Sequence, residues 1–262
     1  MMNRRFTGLT DTGIQRSVNQ DNYYIDPDGR FFIVADGMGG HAGGQEASQI
    51  AAEKIKNCLN TYWDCDLPSD KLLEKSFLEA NQGIIDDQKD HPERGDMGTT
   101  AVVVIFRGAQ PWCAHIGDSR LYRIRQNQLE QITEDHTWVA KALKMGDITR
   151  EQAKTHPWRH VLFQCLGRKE VNTIEIARLD VKLGDQLLLC SDGLTEEVSD
   201  ETIKMLFEDG DPCGAIAKNL VEAAKEAGGS DNITVIIVVE EGETEAITTD
   251  HSEETQIRRN KQ

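Results

Sequence analysis

Five aspartates, Asp21, Asp36, Asp118, Asp192 and Asp231, sit in N-Q-D-N at 19–22, V-A-D-G-M-G-G at 34–40, H-I-G-D-S-R at 115–120, C-S-D-G at 190–193 and G-S-D-N-I-T at 229–234. Most stand at the edge of an apolar run and beside Gly, Ser or Asn. One such dipeptide is an ordinary turn, because Asp, Asn and Gly tolerate turn geometry. Five in this arrangement read as carboxylates carried to one place by strand ends and loops, where a rigid scaffold presents chemistry. Bare carboxylates roughly 4 Å apart repel by about 4 kcal/mol per pair at an effective dielectric of about 20. Convergence therefore demands divalent cations, and an all-oxygen set suits Mg²⁺ or Mn²⁺ rather than Zn²⁺. Two such ions about 4 Å apart form a clamp for phosphoryl chemistry with an activated water.

The elements that must position these residues follow from apolar patterning. Val-, Ile-, Leu- and Phe-rich runs at 31–35, 100–106, 112–116, 186–190 and 233–239 predict buried strands, with a further strand at 121–125. Helical spacing puts Ala47, Ile50, Ala51, Ile55, Cys58 and Leu59 on one face of 45–62. It does the same for Leu72, Leu73, Phe77, Ala80, Ile84 and Ile85 in 70–88, with Ser69 or Asp70 as the cap. A second helical pair is predicted at 200–208 and 213–227, stopped by Gly228 and Gly229. Such runs imply an α+β fold with strands in a central layered structure and helices outside. Residues 137–166 stand apart and are read as a flap over the site. One domain is expected over 1–240, followed by a polar tail, 241–262, that cannot bury a core and should be disordered.

Composition narrows the function. A net charge of −16 and a pI near 4.8 exclude a broad nucleic-acid footprint, which needs clustered Lys and Arg. The N-terminal M-M-N-R-R-F-T-G carries no signal-peptide core and no run approaches a membrane span, so a soluble cytoplasmic protein is expected. Six cysteines without a C-x-x-C pair read as reduced, mostly buried thiols. None has an arginine six residues on, the spacing of cysteine-dependent phosphatases, which disfavours a covalent cysteine mechanism. No coiled-coil heptad or long unpaired apolar helix face is visible, so a monomer is expected.

The ordered segments R-S-V-N-Q-D at 16–21, V-A-D-G-M-G-G-H-A-G-G at 34–44, G-T-T-A at 98–101, G-D-S-R at 117–120, C-S-D-G-L at 190–194 and S-D-N-I-T at 230–234 resemble the motif set of the metal-dependent serine/threonine protein phosphatases, the PPM or type 2C family. The resemblance spans roughly residues 7–239. It implies a four-layer αββα sandwich of two antiparallel sheets flanked by helices, and hydrolysis of phosphoserine and phosphothreonine by direct attack of a metal-bridging hydroxide. By position, Asp36, Asp192 and Asp231 resemble ligands of a first Mg²⁺ or Mn²⁺ ion. Asp36, the Gly37 carbonyl and, through water, Asp21 resemble those of a second. Asp118, shared with Asp192, resembles the ligand of a weaker third ion. Arg16 matches the phosphate-binding arginine, whose planar fork suits bidentate grip of phosphate oxygens. His41 is a candidate general acid, although the M-G-G insertion lengthens its distance from Asp36; a metal-bound water is the alternative, and His160 in the flap is a weaker candidate.

Two readings from other classes stand beside this one. A catalytically silent partner-binding module should have lost ligands, and all the expected aspartates are present. A haloacid-dehalogenase-type enzyme is suggested only by Asp64-Cys65-Asp66, which falls between two helices rather than at a strand end. Phosphorylated proteins are the implied partners. D-H-T-W at 135–138 and H-P-W-R-H-V-L at 156–162 resemble cyanobacterial PphA-type members, which implies the nitrogen-signalling protein PII as a substrate.

Overall fold

Runs such as Phe31–Ala35 and Ala101–Ile105 are apolar at every position, which requires burial on both faces of a sheet. In the computed structural model, which describes residues 3–40, 43–170, 173–208 and 211–241, each such run separates two cores. One antiparallel sheet holds β1 (Asn3–Asp11), β11 (Ile233–Glu241), β10 (Gln186–Cys190), β7 (Arg120–Arg125) and β8 (Gln128–Gln131), in that order. The other runs β2 (Asp21–Ile25), β3 (Phe31–Met38), β5 (Ala101–Ile105), β6 (Trp112–Ile116) and β9 (Glu175–Arg178), with the short β4 (Gly98–Thr99) paired to β3.

The two-residue period sorts side chains between layers. Phe32 and Val34 of β3 meet Leu187, Leu189, Ile236 and Val238 between the sheets. Phe31, Ile33 and Ala35 of the same strand pack outward on α1 (Gly43–Tyr62) and α2 (Ser69–Asp90). On the opposite side, Ile233, Val235 and Ile237 of β11 pack beneath α5 (Asp192–Thr195), α6 (Asp200–Glu208) and α7 (Cys213–Ala227). Three cores thus separate four layers, the α+β sandwich that the motifs implied. Between β8 and β9 the chain forms α3 (Trp138–Met145), capped by Thr137, and α4 (Arg150–Thr155), held by a Thr149–Gln152 capping box.

Several local expectations change. β1 and β2 are half-buried edge strands whose polar residues hide the alternation, and β8 and β9 are short and largely exposed. Neither Ser69 nor Asp70 caps α2: Pro68 holds the N-cap position with φ −56°, Ser69 is already helical, and no side chain caps the end. Gly228 ends α7 as expected. Asp64-Cys65-Asp66 lies in the turn between α1 and α2. All six cysteines are free, and burial pushes Cys58, Cys113 and Cys190 up to about 12, far from thiolate reactivity. β11 takes in Glu241, and the rest of the tail lies outside the described residues. Among the described residues no helix is long and apolar enough to cross a membrane.

Arg107, just beyond β5, holds the α1–α2 turn by donating to the carbonyls of Trp63 at 2.6 Å, Leu67 at 2.5 Å and Cys65. Arg107→Ala should lower the unfolding free energy by about 2 kcal/mol, because charge-assisted bonds are lost and carbonyls are left to find water. Urea denaturation checks this, and an unchanged midpoint would contradict it.

Candidate metal and phosphate site

Antiparallel pairing of β2 and β3 sets Asp21 directly opposite Asp36. Asp21 is only 8% exposed. Its Oδ2 accepts hydrogen bonds from Ser191 Oγ and Thr234 Oγ1, both at 2.7 Å, while Oδ1 is buried without a partner. Burial, reinforced by Asp192 and Asp231, outweighs the two hydroxyls and lifts the Asp21 carboxyl to about 7.

The G-T-T-A segment fixes the peptide that carries Asp36. Thr100 Oγ1 accepts from the Asp36 N–H at 3.0 Å, and the Asp36 carbonyl accepts from Thr99 Oγ1 at 2.7 Å and from the Thr100 N–H at 2.9 Å. Next along, Gly37 permits a close crossing: a Cβ there would lie 1.9 Å from the Gly44 carbonyl oxygen, and Gln20 accepts its N–H. Gly193 is confined in the same way by the Asn232 carbonyl, 2.0 Å from where its Cβ would stand. Asp192 opens α5 beside it, with Oδ1 buried and unpartnered.

Asp36 and Asp192 lie close enough that each shifts the proton affinity of the other. Burial first, then Asp21 and Asp192, raises Asp36 well above the usual carboxylate range. Asp118, in the turn between β6 and β7, is raised by burial and then by Asp192 and Asp135. Burial also raises Asp192. The predicted aspartates are therefore within one another's electrostatic reach.

Asp231 lies between α7 and β11. Its Oδ2 accepts from Arg16 Nη2 at 2.7 Å, and Arg16 Nε reaches the Ser230 carbonyl at 3.3 Å. Arg16 is thus at the site, half-exposed and latched to a member of the cluster. Asn232 holds the loop that carries it. Its Oδ1 accepts from Gln20 N–H at 2.7 Å, and its Nδ2 donates to the carbonyls of Thr12 at 2.9 Å and Val18 at 3.1 Å.

His41 lies outside the described residues. His160 reaches the rim of the cluster, where Nδ1 meets Glu196 and both stand within 4.8 Å of an Asp192 oxygen. Burial and then Arg159 lower His160; burial, then Asp192, lifts Glu196 to about 7. Glu196 was missed from sequence, although its place four residues after Asp192 on a helical turn puts the two on one face. A cleft of about 220 Å³, lined by Met38, Ile116, His160, Leu162, Phe163 and Arg168 among others, opens beside the end of the strand that carries Asp36 and the turn that carries Asp118.

The donor set fits hard divalent cations. It is all oxygen, and two buried carboxylate oxygens, on Asp21 and Asp192, have no partner. Arg120, two residues from Asp118, is engaged in a fork with Asp135 at 2.6 and 2.9 Å rather than with the cluster.

A family model described as Protein phosphatase 2C matches residues 14–231. The chain belongs to that family. It is 38% identical over 238 residues to protein phosphatase PhpP of Streptococcus pneumoniae, covering 88% of this chain and 95% of that one. It is 37% identical over 236 residues to serine/threonine protein phosphatase PstP of Mycobacterium tuberculosis, covering 89% of this chain but 44% of that protein. The chain thus spans less than half the length of PstP. Among solved structures, the PstP catalytic domain in complex with two manganese ions superposes with a TM-score of 0.80 at 34% identity, covering 92% of this chain and 100% of that one.

Raised carboxyl values set a pH dependence for this phosphatase 2C member. The cluster binds protons more tightly folded than unfolded, so without cations its contribution to stability is fully present below about pH 4 and is lost as pH rises towards about 7, where Asp21 ionises. The urea midpoint of the metal-free protein should therefore drop between about pH 5 and about pH 8. Mn²⁺ should restore more of it at the higher pH. A midpoint insensitive to both would contradict convergence of the carboxylates.

Proposed function

We propose that this chain is a Mg²⁺- or Mn²⁺-dependent protein phosphatase that hydrolyses phosphoserine and phosphothreonine in proteins. The observation that carries the reading is the carboxylate cluster with two unpartnered buried oxygens beside Arg16, in a chain of the phosphatase 2C family. Asp36, Asp192 and Asp231 would hold one ion, Asp36, the Gly37 carbonyl and, through water, Asp21 a second, and Asp118 with Asp192 a weaker third. When bound, the ions supply an activated water and neutralise phosphoryl oxygens.

The remaining work falls to the chain. Asp21, whose Oδ2 is fixed by Ser191 and Thr234, presents Oδ1 to the site without rearrangement. Arg16 is placed to grip phosphate oxygens once Asp231 turns to a cation, since the guanidinium then loses its present partner. The leaving alkoxide takes a proton from His41 or from water. Residues 137–166 form the flap, which supplies His160 and Phe163 to the cleft. Among phosphoproteins, PII is the candidate substrate, supported by the PphA-type motifs at 135–138 and 156–162 alone.

Phosphate release from a phosphothreonine peptide should require Mn²⁺ or Mg²⁺ and stop with chelator. Asp36→Asn should abolish it, and full activity of that variant would defeat the mechanism. Arg16→Ala should raise KM roughly tenfold or more, the loss expected for a charge-assisted bidentate contact. Asp118→Ala should lower kcat while calorimetry still detects tight binding of two ions; unchanged kcat would remove the third-ion role. Metal binding without release from any phosphoprotein would favour the silent binding module. Equal kcat/KM on phosphorylated PII and on the peptide would remove PII as a preferred substrate.

A further inference from the structure

Two buried histidines and a half-exposed carboxylate form a second group of ionisable side chains behind the turn that carries Asp118. His115 in β6 and His136, just before α3, are 4% and 2% exposed, and their rings stack with centroids 4.8 Å apart at 24°. Glu175, the first residue of β9, faces both: Oε1 is 3.3 Å from His136 Nε2 and Oε2 is 3.9 Å from His115 Nε2. Two imidazoles and a carboxylate within 4.8 Å invite a metal reading. The geometry opposes it. Ring planes tilted by only 24° with centroids 4.8 Å apart meet well beyond metal-ligand distance, so no position within reach of both nitrogens lies in the plane of both rings.

The nitrogens are also already assigned by their hydrogen bonds. His136 Nδ1 accepts from the Gly117 N–H at 3.1 Å, which places the ring proton on Nε2. His115 Nε2, 2.9 Å from the Glu134 carbonyl, must likewise donate. His136 Nε2 is buried without a hydrogen-bond partner, and the half-exposed Glu175 carboxylate beside it needs only a small rotation to accept.

We propose that His136, held in its Nε2–H tautomer by Glu175, is a positioning residue that fixes the Gly117–Asp118 turn and with it the Asp118 carboxylate. The two segments are joined in both directions, because the His136 N–H also donates to the Gly117 carbonyl at 3.0 Å. Gly117 has φ +100° and lies against Thr100, so its amide has little room to find another acceptor. On the far side of Asp118, Ser119 Oγ is tied to Thr100 Oγ1 at 2.6 Å and Arg120 to Asp135. The aspartate is thus carried on a turn pinned at both ends. Phe163 also donates its N–H to the His136 carbonyl at 3.0 Å, which places the cleft wall on the same residue.

The functional consequence rests on the proposed role of Asp118, so the test has arms that do not depend on activity. In the metal-free full-length protein, nitrogen-15 NMR of the imidazoles should show His136 protonated at Nε2 and bare at Nδ1, with slow hydrogen exchange at the Gly117 amide. His136→Leu should speed that exchange and raise the Mn²⁺ needed for half-maximal phosphate release, each roughly tenfold, the scale of lost outer-shell support. His136→Asn, whose Oδ1 stands near the place of Nδ1, should recover both. Should His136→Leu fail to fold, the half-exposed Glu175→Leu decides: a proton appearing on His136 Nδ1 and faster Gly117 exchange support the relay. A wild-type proton on Nδ1, unchanged Gly117 exchange in the variants, or no recovery with Asn overturns it. A wild-type protein that releases no phosphate but shows the NMR pattern defeats the functional reading and leaves the positioning role standing.

Discussion

The carboxylate of Asp21 is rooted in one sheet and hydrogen-bonded from the other, through Thr234 of β11 and Ser191 at the end of β10. A buried carboxylate is tolerable only where its oxygens find donors. Both sheets must therefore hold their registers. Ser191 and Thr234 are themselves locked together, the Ser191 N–H donating to the Thr234 carbonyl and the Thr234 N–H to Ser191 Oγ, both at 3.0 Å. A slip of one residue in either sheet would turn Asp36 or Thr234 to the opposite face. The mouth of the sandwich is where this constraint and the apolar register of its interior meet.

A site of this kind works against the fold that holds it. Each close carboxylate pair costs about 4 kcal/mol at an intermediate dielectric, whereas a fully buried Leu, Ile or Phe returns about 1.5–3 kcal/mol. The three cores supply many such side chains, with Phe31, Phe32, Leu188 and Ile236 wholly inaccessible. Raised proton affinity relieves part of the remainder in the metal-free chain, as burial and then Asp21 and Asp192 bring about at Asp36. Neutral Thr, Ser and Asn side chains and backbone amides, rather than lysines, tie the loops in place. Nearby ammonium groups would satisfy the carboxylates permanently and leave nothing for a cation to do.

The strands buried on both faces were legible because they carry unbroken apolar runs, and α1, α2, α6 and α7 because they repeat at helical spacing. Edge strands were not. In β2, D-N-Y-Y-I carries its cluster aspartate at a strand start that mimics a turn, and β1 hides Phe6 and Leu9, which serve different cores, among polar neighbours. The aspartates themselves were visible through their Gly and Asn companions. Their anchors were less so: Thr99, Thr100 and Asn232 lay within recognised motifs, but only tertiary contact shows that they hold Asp36 and the Arg16 loop. His136 is the clearest case, since nothing in D-H-T-W foretells that its ring meets the amide of Gly117, nineteen positions earlier.

The pairing of Arg16 with Asp231 follows from the same charge balance. A cluster of carboxylates draws in the nearest mobile cation, and without metal that cation is the half-exposed guanidinium on the 12–20 loop. Its exposure keeps the attachment weak, because a solvated ion pair is worth only about 0–1 kcal/mol. A divalent ion, on the proposed reading, would compete for Asp231 with twice the charge and without the entropy of ordering a long side chain. On the proposed reading, occupation of the metal site and release of the phosphate-gripping arginine are therefore one exchange of partners at Asp231. Asn232 keeps the arginine's loop in place throughout, since its three hydrogen bonds to residues 12, 18 and 20 involve no charge that the exchange would alter.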